Sequence, residues 1–102
     1  MDYNKIQSLG RVDEVLKLDP IANKFEAFGW HVIEVDGHDL EALHRALDLD
    51  NPPIPGMPTV IIAHTVKGKG VDFMEDKLMW HYKSPNQEQM ELALSQIGAS
   101  FQ

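Results

Sequence analysis

Two short stretches decide the fold: residues 30–36, WHVIEVD, which are followed by Gly37, and residues 58–66, PTVIIAHTV. Both are rich in β-branched residues, and the first ends at an Asp-Gly turn, so each run predicts a β-strand. Between them Asp39 is placed to cap a helix in which leucines recur at steps of three and four residues toward Leu49. A strand, a helix and a strand in this order predict a parallel βαβ unit. We therefore expect an α/β fold, a parallel sheet with flanking helices.

A further helix and a strand end are expected before this unit. Pro20–Phe28 is typical of a helix, with Asp19 as its N-cap and a stop at Gly29. The residues predicted on its buried face are Ile21, Phe25 and Phe28. Met1–Asn4 is typical of the carboxyl end of a strand.

The last helix has the clearest local signals. Ser84, followed by Pro85 at the first helical position and Gln87 at the third, predicts a capping box. The predicted buried stripe consists of Met90, Ala93, Leu94 and Ile97, with a stop near Gly98. Residues 67–83, which precede this helix, are long and contain glycine, so they form a candidate functional loop.

The composition bounds the class of protein. The chain has 102 residues, 43% of them apolar, which suffices for a single domain over residues 1–102. The absence of cysteine excludes disulfides, thiolate metal sites and a cysteine nucleophile. The net charge of −7 argues against a nucleic-acid partner, because neutralising phosphates needs clustered cations. Since no apolar run approaches the roughly 20 residues of a membrane span, we expect a soluble, cytoplasmic protein without membrane contact.

Candidate site residues cluster where the predicted strands end. In an open parallel sheet, ligands gather beyond the carboxyl ends of the strands. We therefore expect three segments to meet at that edge: Asp2–Gln7, Asp36–Asp39 and Val66–His81. Within the second segment, Asp36 is predicted to serve the turn, and His38 is a candidate ligand contact.

Asn4 and Ile6 are candidates for holding a divalent cation. Asn4 follows a predicted strand, where its side-chain oxygen suits a hard cation such as Mg²⁺, and the carbonyl of Ile6 can supply a second oxygen. Phosphate oxygens would complete such a shell. The same residues also fit a simple turn in which Asn4 tolerates an unusual backbone conformation.

The loop supplies the other candidates. Lys67-Gly68-Lys69-Gly70 follows a strand and offers amides and ammonium groups to a phosphate, although a solvated turn fits the same residues. His81, between Trp80 and Tyr82, is the best single catalytic candidate, because imidazole transfers protons near neutral pH. A partly buried structural histidine is the alternative. The histidines that fall inside predicted strands, and are expected to be structural, are His31 and His64.

Three strings of the sequence together resemble a known family. They are residues 2–7, DYNKIQ, residues 28–39, FGWHVIEVDGHD, and residues 65–70, TVKGKG, which lead on to Trp80-His81. In order and spacing they resemble the thiamine diphosphate-binding domain of transketolase, and most closely the N-terminal section of transketolases split into two polypeptides. The resemblance covers nearly the whole chain and implies a partial thiamine diphosphate-binding fold.

The resemblance implies an enzyme that transfers a two-carbon ketol unit between sugar-phosphate substrates, with thiamine diphosphate and Mg²⁺ as cofactors. By resemblance, Asn4 ligates Mg²⁺ through its side chain and Ile6 through its backbone carbonyl, so both residues serve the metal and the cofactor. His81 is similar to the family's histidine near the diphosphate and the substrate. There it would assist proton transfer or stabilise developing charge.

Some of the family's site residues are not among these 102 residues: a Gly-Asp-Gly aspartate that ligates the metal, a glutamate that activates the aminopyrimidine and an early histidine. The resemblance therefore implies a transketolase-like fragment, inactive alone, that works in a homo- or hetero-oligomer with complementary transketolase segments or a second polypeptide. One alternative is a non-catalytic module of the same fold that oligomerises or binds a partner through an exposed sheet edge. Another is a related enzyme, such as deoxyxylulose-phosphate synthase or a 2-oxo acid dehydrogenase component.

Overall fold

The computed structural model describes residues 1–48 and 54–100, with side chains up to residue 98. The secondary-structure elements are, in chain order, β1 (Asp2–Tyr3), β2 (Ile6–Gln7), β3 (Gly10–Arg11), α1 (Val12–Val15), α2 (Ile21–Ala27), β4 (His31–Asp36), α3 (Leu40–Ala46), β5 (Thr59–His64), a 3₁₀ helix (Leu78–His81) and α4 (Gln87–Ser100). None of the helices in this described part of the chain has the length and hydropathy that crossing a bilayer requires.

The structure divides into two compact units. The first contains Met1–Asn4 and Leu16–Thr65, and the second contains Lys5–Val15 and the residues from Val66 onward. Each unit has its own buried apolar residues. Whether the chain acts as the single domain expected over residues 1–102 stays a prediction.

The first unit is built on a parallel sheet of three strands in the order β1-β5-β4. Along β4 and β5 the register pairs His31 with Thr59 and runs without interruption to Asp36 and His64. β1 extends the sheet on the other side of β5, with Tyr3 opposite His64. The predicted strand–helix–strand unit and the strand end at residues 1–4 are thus confirmed, as is the α/β fold class.

Helices cover the two faces of this sheet. Side chains alternate between the faces along β5, so Ile62 and Ile61 point in opposite directions. α2 and α3 both pack against β4, α2 over the face of Ile62 and α3 over the face of Ile61. Ile62 is the most deeply buried side chain of the unit, and the other buried apolar residues here are Tyr3, Ile21 and Val60. The core therefore lies mainly between the sheet and α2.

Two predicted buried faces are only partly buried. Ile21 of α2 is buried as expected, but Phe28 is 83% exposed, because the helix ends there and Phe28 is its C-cap. On α3, Leu40 is 79% exposed, so apolar spacing alone overestimated how much of this helix meets the sheet. The predicted end of α3 near Leu49 lies outside the described residues, and the helix ends at Ala46.

Asp19 does not cap α2, which corrects the prediction from the Asp19-Pro20 pair. The N-cap position is held by Pro20 without a side-chain hydrogen bond. The Asp19 carboxylate instead accepts a hydrogen bond from the Tyr3 hydroxyl at 2.6 Å. A long-range partner in β1 thus replaces the local one that the sequence suggested.

The turn between β4 and α3 forms as predicted. Asp36 Oδ1 accepts the amide of His38 at 2.9 Å, which confirms that Asp36 serves the turn. Asp39 is the N-cap of α3, since its Oδ1 accepts the amide of Ala42 at 2.9 Å. One orphan amide at the start of the helix is thereby satisfied.

Replacing Asp39 by alanine is expected to lower the free energy of unfolding by about 1 kcal/mol, because the capping acceptor for Ala42 is lost. Asp39→Asn keeps a capping oxygen and serves as the matched control. Denaturant unfolding followed by circular dichroism measures both variants. Equal losses in the two variants would contradict the capping role and point to the charge instead.

The second unit combines a hairpin, a loop and the last helix. β2 and β3 pair antiparallel across a turn at Ser8 and Leu9, and α1 follows directly. This hairpin was not predicted from the sequence, and its strands have two residues each. The strand β2 packs against the 3₁₀ helix. The buried apolar residues of this unit are Val12, Val71 and Ala93.

The capping box of α4 forms two residues later than predicted. Asn86 Oδ1 accepts the amide of Gln89 at 2.9 Å, and Gln89 Oε1 accepts the amide of Asn86 at 3.1 Å. Asn86 and Gln89 have the same spacing as Ser84 and Gln87, and asparagine caps at least as well as serine. Of the predicted stripe only Ala93 is buried, whereas Met90, Leu94 and Ile97 are exposed.

Candidate functional site

The carboxyl ends of all three parallel strands meet at one edge of the sheet in the first unit. His64 is in register with both Tyr3 and Asp36, and the amide of Gly37 donates to the His64 carbonyl at 2.8 Å. Asn4 directly follows Tyr3 and is half-buried. The fold thus places Asn4 and the Asp36 turn at the edge where ligands bind in sheets of this type.

A polar cavity of about 140 Å³ opens beside this edge, on the α2 side of the sheet. Two hydrogen-bonded pairs line it: Tyr3 with Asp19, and Glu34 with His64, whose Nε2 lies 2.6 Å from Glu34 Oε2. Because Glu34 lies on β4 and His64 on β5, the second pair cross-links neighbouring strands. This agrees with the structural role expected for His64.

The second unit packs the strand that contains Ile6 against the 3₁₀ helix that contains His81. Ile6 begins β2, and β2 packs against the 3₁₀ helix that ends at His81. Lys5, between Asn4 and Ile6, has a φ of 64°, a left-handed conformation that non-glycine residues seldom adopt. Such backbone outliers cluster at functional sites, so the turn at Lys5 supports the choice of this segment as a candidate site.

His81 is held by groups that the sequence analysis missed. Its Nε2 lies 3.2 Å from Ser8 Oγ, and the Tyr82 hydroxyl donates to the carbonyl of Ser8 at 2.9 Å. The rings of His81 and Tyr82 meet edge to face, with centroids 4.9 Å apart. His81 is exposed, so it is accessible to a ligand.

An ion pair ties the hairpin to the loop independently of Ser8. Arg11 Nη1 lies 3.2 Å and 3.1 Å from the two carboxylate oxygens of Asp76. Both side chains are about half exposed, so the pair is worth about 1 kcal/mol or less. Its value here is geometric, since it keeps β3 against the loop that carries His81.

The Lys67–Gly70 stretch is braced from within. Glu75 Oε1 accepts the amide of Gly70 at 3.0 Å and lies 3.7 Å from Lys69 Nζ. Gly68 has a φ of 74°, and a Cβ there would come within 2.8 Å of the Met74 backbone, so this position requires glycine. The Gly70 amide and the Lys69 ammonium group, which were expected to face a phosphate, thus face the carboxylate of Glu75 instead.

The donors at Asn4 and Ile6 suit Mg²⁺ in kind. Among the residues with described side chains, no group of three or more histidine and acidic side chains is arranged to hold a metal ion. Mg²⁺, however, prefers oxygen ligands in an octahedral shell and commonly takes a few protein oxygens together with phosphates. An amide oxygen and a backbone carbonyl match that pattern, with most of the shell left to the ligand.

Of the three predicted site residues, the structure brings Ile6 and His81 into one unit and assigns Asn4 to the other. Their roles in binding and catalysis stay predictions. The contacts of Ser8 and Tyr82 with His81 were not predicted, because neither a two-residue turn nor an exposed tyrosine has a recognisable sequence pattern. Gly10, two positions after Ser8, was the available signal for a hairpin.

One protein family matches nearly the whole chain. Residues 1–101 match the family described as the thiamine diphosphate-binding domain of transketolase. The chain is 40% identical over 96 residues to an apulose-4-phosphate transketolase subunit of Actinobacillus succinogenes, covering 94% of the chain and 34% of that protein.

Two further relatives give the same picture. The chain is 36% identical over 96 residues to the 6-deoxy-6-sulfo-D-fructose transketolase subunit SqwG of Clostridium sp., again covering 94% of the chain and 34% of the relative. It is 34% identical over all 102 residues to the transketolase of Homo sapiens, of which it covers 16%. The chain thus spans about a third of the length of the curated subunits that it matches.

Proposed function

Because the chain belongs to the transketolase family of thiamine diphosphate-binding domains, we propose that it forms part of a diphosphate and Mg²⁺ site in a transketolase. The reaction would be the transfer of a two-carbon ketol unit between sugar phosphates. The observation that carries the proposal is that Asn4 directly follows β1 at the carboxyl edge of the parallel sheet, where ligands bind in sheets of this type.

Asn4 and Ile6 would hold the metal. The side-chain oxygen of Asn4 and the carbonyl oxygen of Ile6 are neutral, hard donors, so they bind Mg²⁺ without cancelling the charge that attracts a diphosphate. The positive φ of Lys5 turns the chain between these two donors. The net charge of −7 makes a bridging cation useful here, because it offsets repulsion between the protein and an anionic cofactor.

His81 would act beside the cofactor. An exposed imidazole at the end of a 3₁₀ helix is accessible to a ligand, and its ring nitrogens can donate or accept a hydrogen bond. When bound, thiamine diphosphate supplies the carbanion chemistry of the reaction. The part left to His81 is to donate or accept a proton at the substrate, or to stabilise negative charge that develops there.

A complementary polypeptide would supply the rest of the site. Two of the relatives are named as subunits of transketolases, and the chain spans about a third of their length. The family's Gly-Asp-Gly aspartate is not among these 102 residues, and the donors at Asn4 and Ile6 fill only part of an octahedral shell. We therefore expect the 102 residues to be inactive alone.

Calorimetric titration tests the proposal. Thiamine diphosphate with Mg²⁺ is titrated into the chain alone, and into the chain combined with the remaining segments of a related two-polypeptide transketolase. Saturable, Mg²⁺-dependent binding and ketol transfer are expected only in the assembly. Full turnover by the isolated chain would contradict its dependence on a complementary polypeptide. Absence of thiamine diphosphate binding in every combination would contradict the proposed function.

The non-catalytic alternative predicts a different result. Within the described residues, β1 pairs with β5 alone, and an apolar groove of about 350 Å³ lies on the α3 side of the sheet. These features would suit self-association through the sheet edge. A stable homo-oligomer, measured by mass in solution and unaffected by thiamine diphosphate, would favour that module over the enzyme.

A further inference from the structure

The contacts around His81 form a chain of three groups within the second unit. Tyr82 Oη donates to the carbonyl of Ser8 at 2.9 Å, and Ser8 Oγ lies 3.2 Å from His81 Nε2. The His81 and Tyr82 rings pack edge to face, with 81° between their planes. The imidazole is therefore restrained by the hydroxyl of Ser8 and by the ring of Tyr82.

We propose that Ser8 is a positioning residue for His81: its hydroxyl fixes the rotation of the imidazole, and Tyr82 holds Ser8 in place. The inference rests on the proposed role of His81 at the substrate. It assigns a role to the hairpin turn, which neither the sequence motifs nor the family match had singled out.

The physical need for such a restraint follows from the exposure of His81. The terminal torsion of a histidine side chain is broad, so an exposed imidazole samples many orientations unless a partner fixes it. Proton transfer requires the accepting nitrogen within hydrogen-bond reach of the reacting group. A hydroxyl on Nε2 therefore fixes the direction in which the other ring nitrogen points, whichever of the two nitrogens carries the proton.

The remaining contacts allow the Ser8 hydroxyl to be removed without disrupting the packing of the hairpin. Within the described part of the chain, Ser8 is the hydrogen-bond partner of the His81 ring, and Nδ1 is left for a ligand. The hairpin is also attached to the loop by Arg11 and Asp76. Removing the Ser8 hydroxyl therefore leaves this attachment intact.

Imidazole nitrogen NMR on the cofactor-free chain, in alkaline buffer, tests the contact directly. Ser8→Ala is expected to shift the Nε2 resonance of His81, whereas Ser8→Thr, which keeps a hydroxyl, restores it. Ser95→Ala is the matched control, because the Ser95 hydroxyl donates to the Leu92 carbonyl on α4. In the assembled enzyme, Ser8→Ala should lower kcat by about tenfold with KM little changed, a part of the 10²–10⁴-fold that proton-transfer groups contribute.

An unchanged Nε2 resonance in Ser8→Ala would overturn the inference, as would a shifted resonance with an unchanged kcat. Failure of the chain to bind thiamine diphosphate in any assembly would count against the proposed function instead. The resonances of the cofactor-free chain would still decide whether Ser8 holds His81, so the two failures are distinguishable.

Discussion

Replacing His81 by alanine is expected to lower ketol transfer by the assembled enzyme by about 10²–10⁴-fold, the range for loss of a positioned proton-transfer group. Stability should change little, because His81 is exposed and substitutions at such sites usually stay within about 0.5 kcal/mol. Steady-state transfer between sugar phosphates measures the first effect, and thermal unfolding of the variant measures the second.

Two further variants separate the chemistry of His81 from its packing. His81→Asn keeps a polar group beside Ser8 but does not exchange protons near neutral pH, so it should be nearly as slow as His81→Ala. His44→Ala makes the same change at a histidine on α3 and should retain activity. If His81→Ala lost stability in proportion to its loss of ketol transfer, or if His81→Asn kept full activity, His81 would be a structural histidine.

The parallel sheet of the first unit was predictable because its signals are strong and local. The apolar runs at β4 and β5, the Asp36 turn and the Asp39 cap each have one physical reading, and these readings agree with one another. The burial of the helices was less predictable. Phe28 and Leu40 have the right spacing, but how far a helix meets its neighbour depends on tertiary packing, which no local pattern encodes.

The caps show where sequence signals become ambiguous. Asp19 and Asn86 both stand near helix starts, yet Asp19 binds the distant Tyr3 hydroxyl, whereas Asn86 makes the capping bonds predicted for Ser84. The capping pattern therefore predicted that α4 exists more reliably than it predicted the residue where α4 begins.

The candidate site was predictable in its parts and not in its assembly. Asn4, Ile6 and His81 were candidates by residue type and position, but their roles came from a family resemblance, since a lone asparagine or histidine does not define a site. Ser8 was unpredictable because its contact with His81 joins residues 73 positions apart in the chain. Such pairings follow from loop conformation, which the sequence pattern of residues 67–83 leaves open.

Replacing Asn4 by alanine is expected to weaken Mg²⁺-dependent binding of thiamine diphosphate to the assembled enzyme. Loss of even an outer partner of a metal ligand costs roughly 10–100-fold in metal affinity, so loss of the ligand itself should cost at least that much. The effect should grow as Mg²⁺ becomes limiting, because the variant holds the cation with one protein oxygen fewer. Titrating the cofactor at several Mg²⁺ concentrations measures it.

The controls for Asn4 use the chemistry of its oxygen. Asn4→Asp keeps an oxygen donor and adds a charge that favours the cation, so it should restore much of the affinity. Asn23→Ala removes the same amide from an exposed position on α2 and should leave binding unchanged. If Asn4→Ala binds the cofactor as tightly as the parent at limiting Mg²⁺, Asn4 is not a metal ligand. The reason is that a side chain that touches the ion cannot be removed without altering the Mg²⁺ dependence of binding. The role of Asn4 would then be limited to the turn that it forms with Lys5.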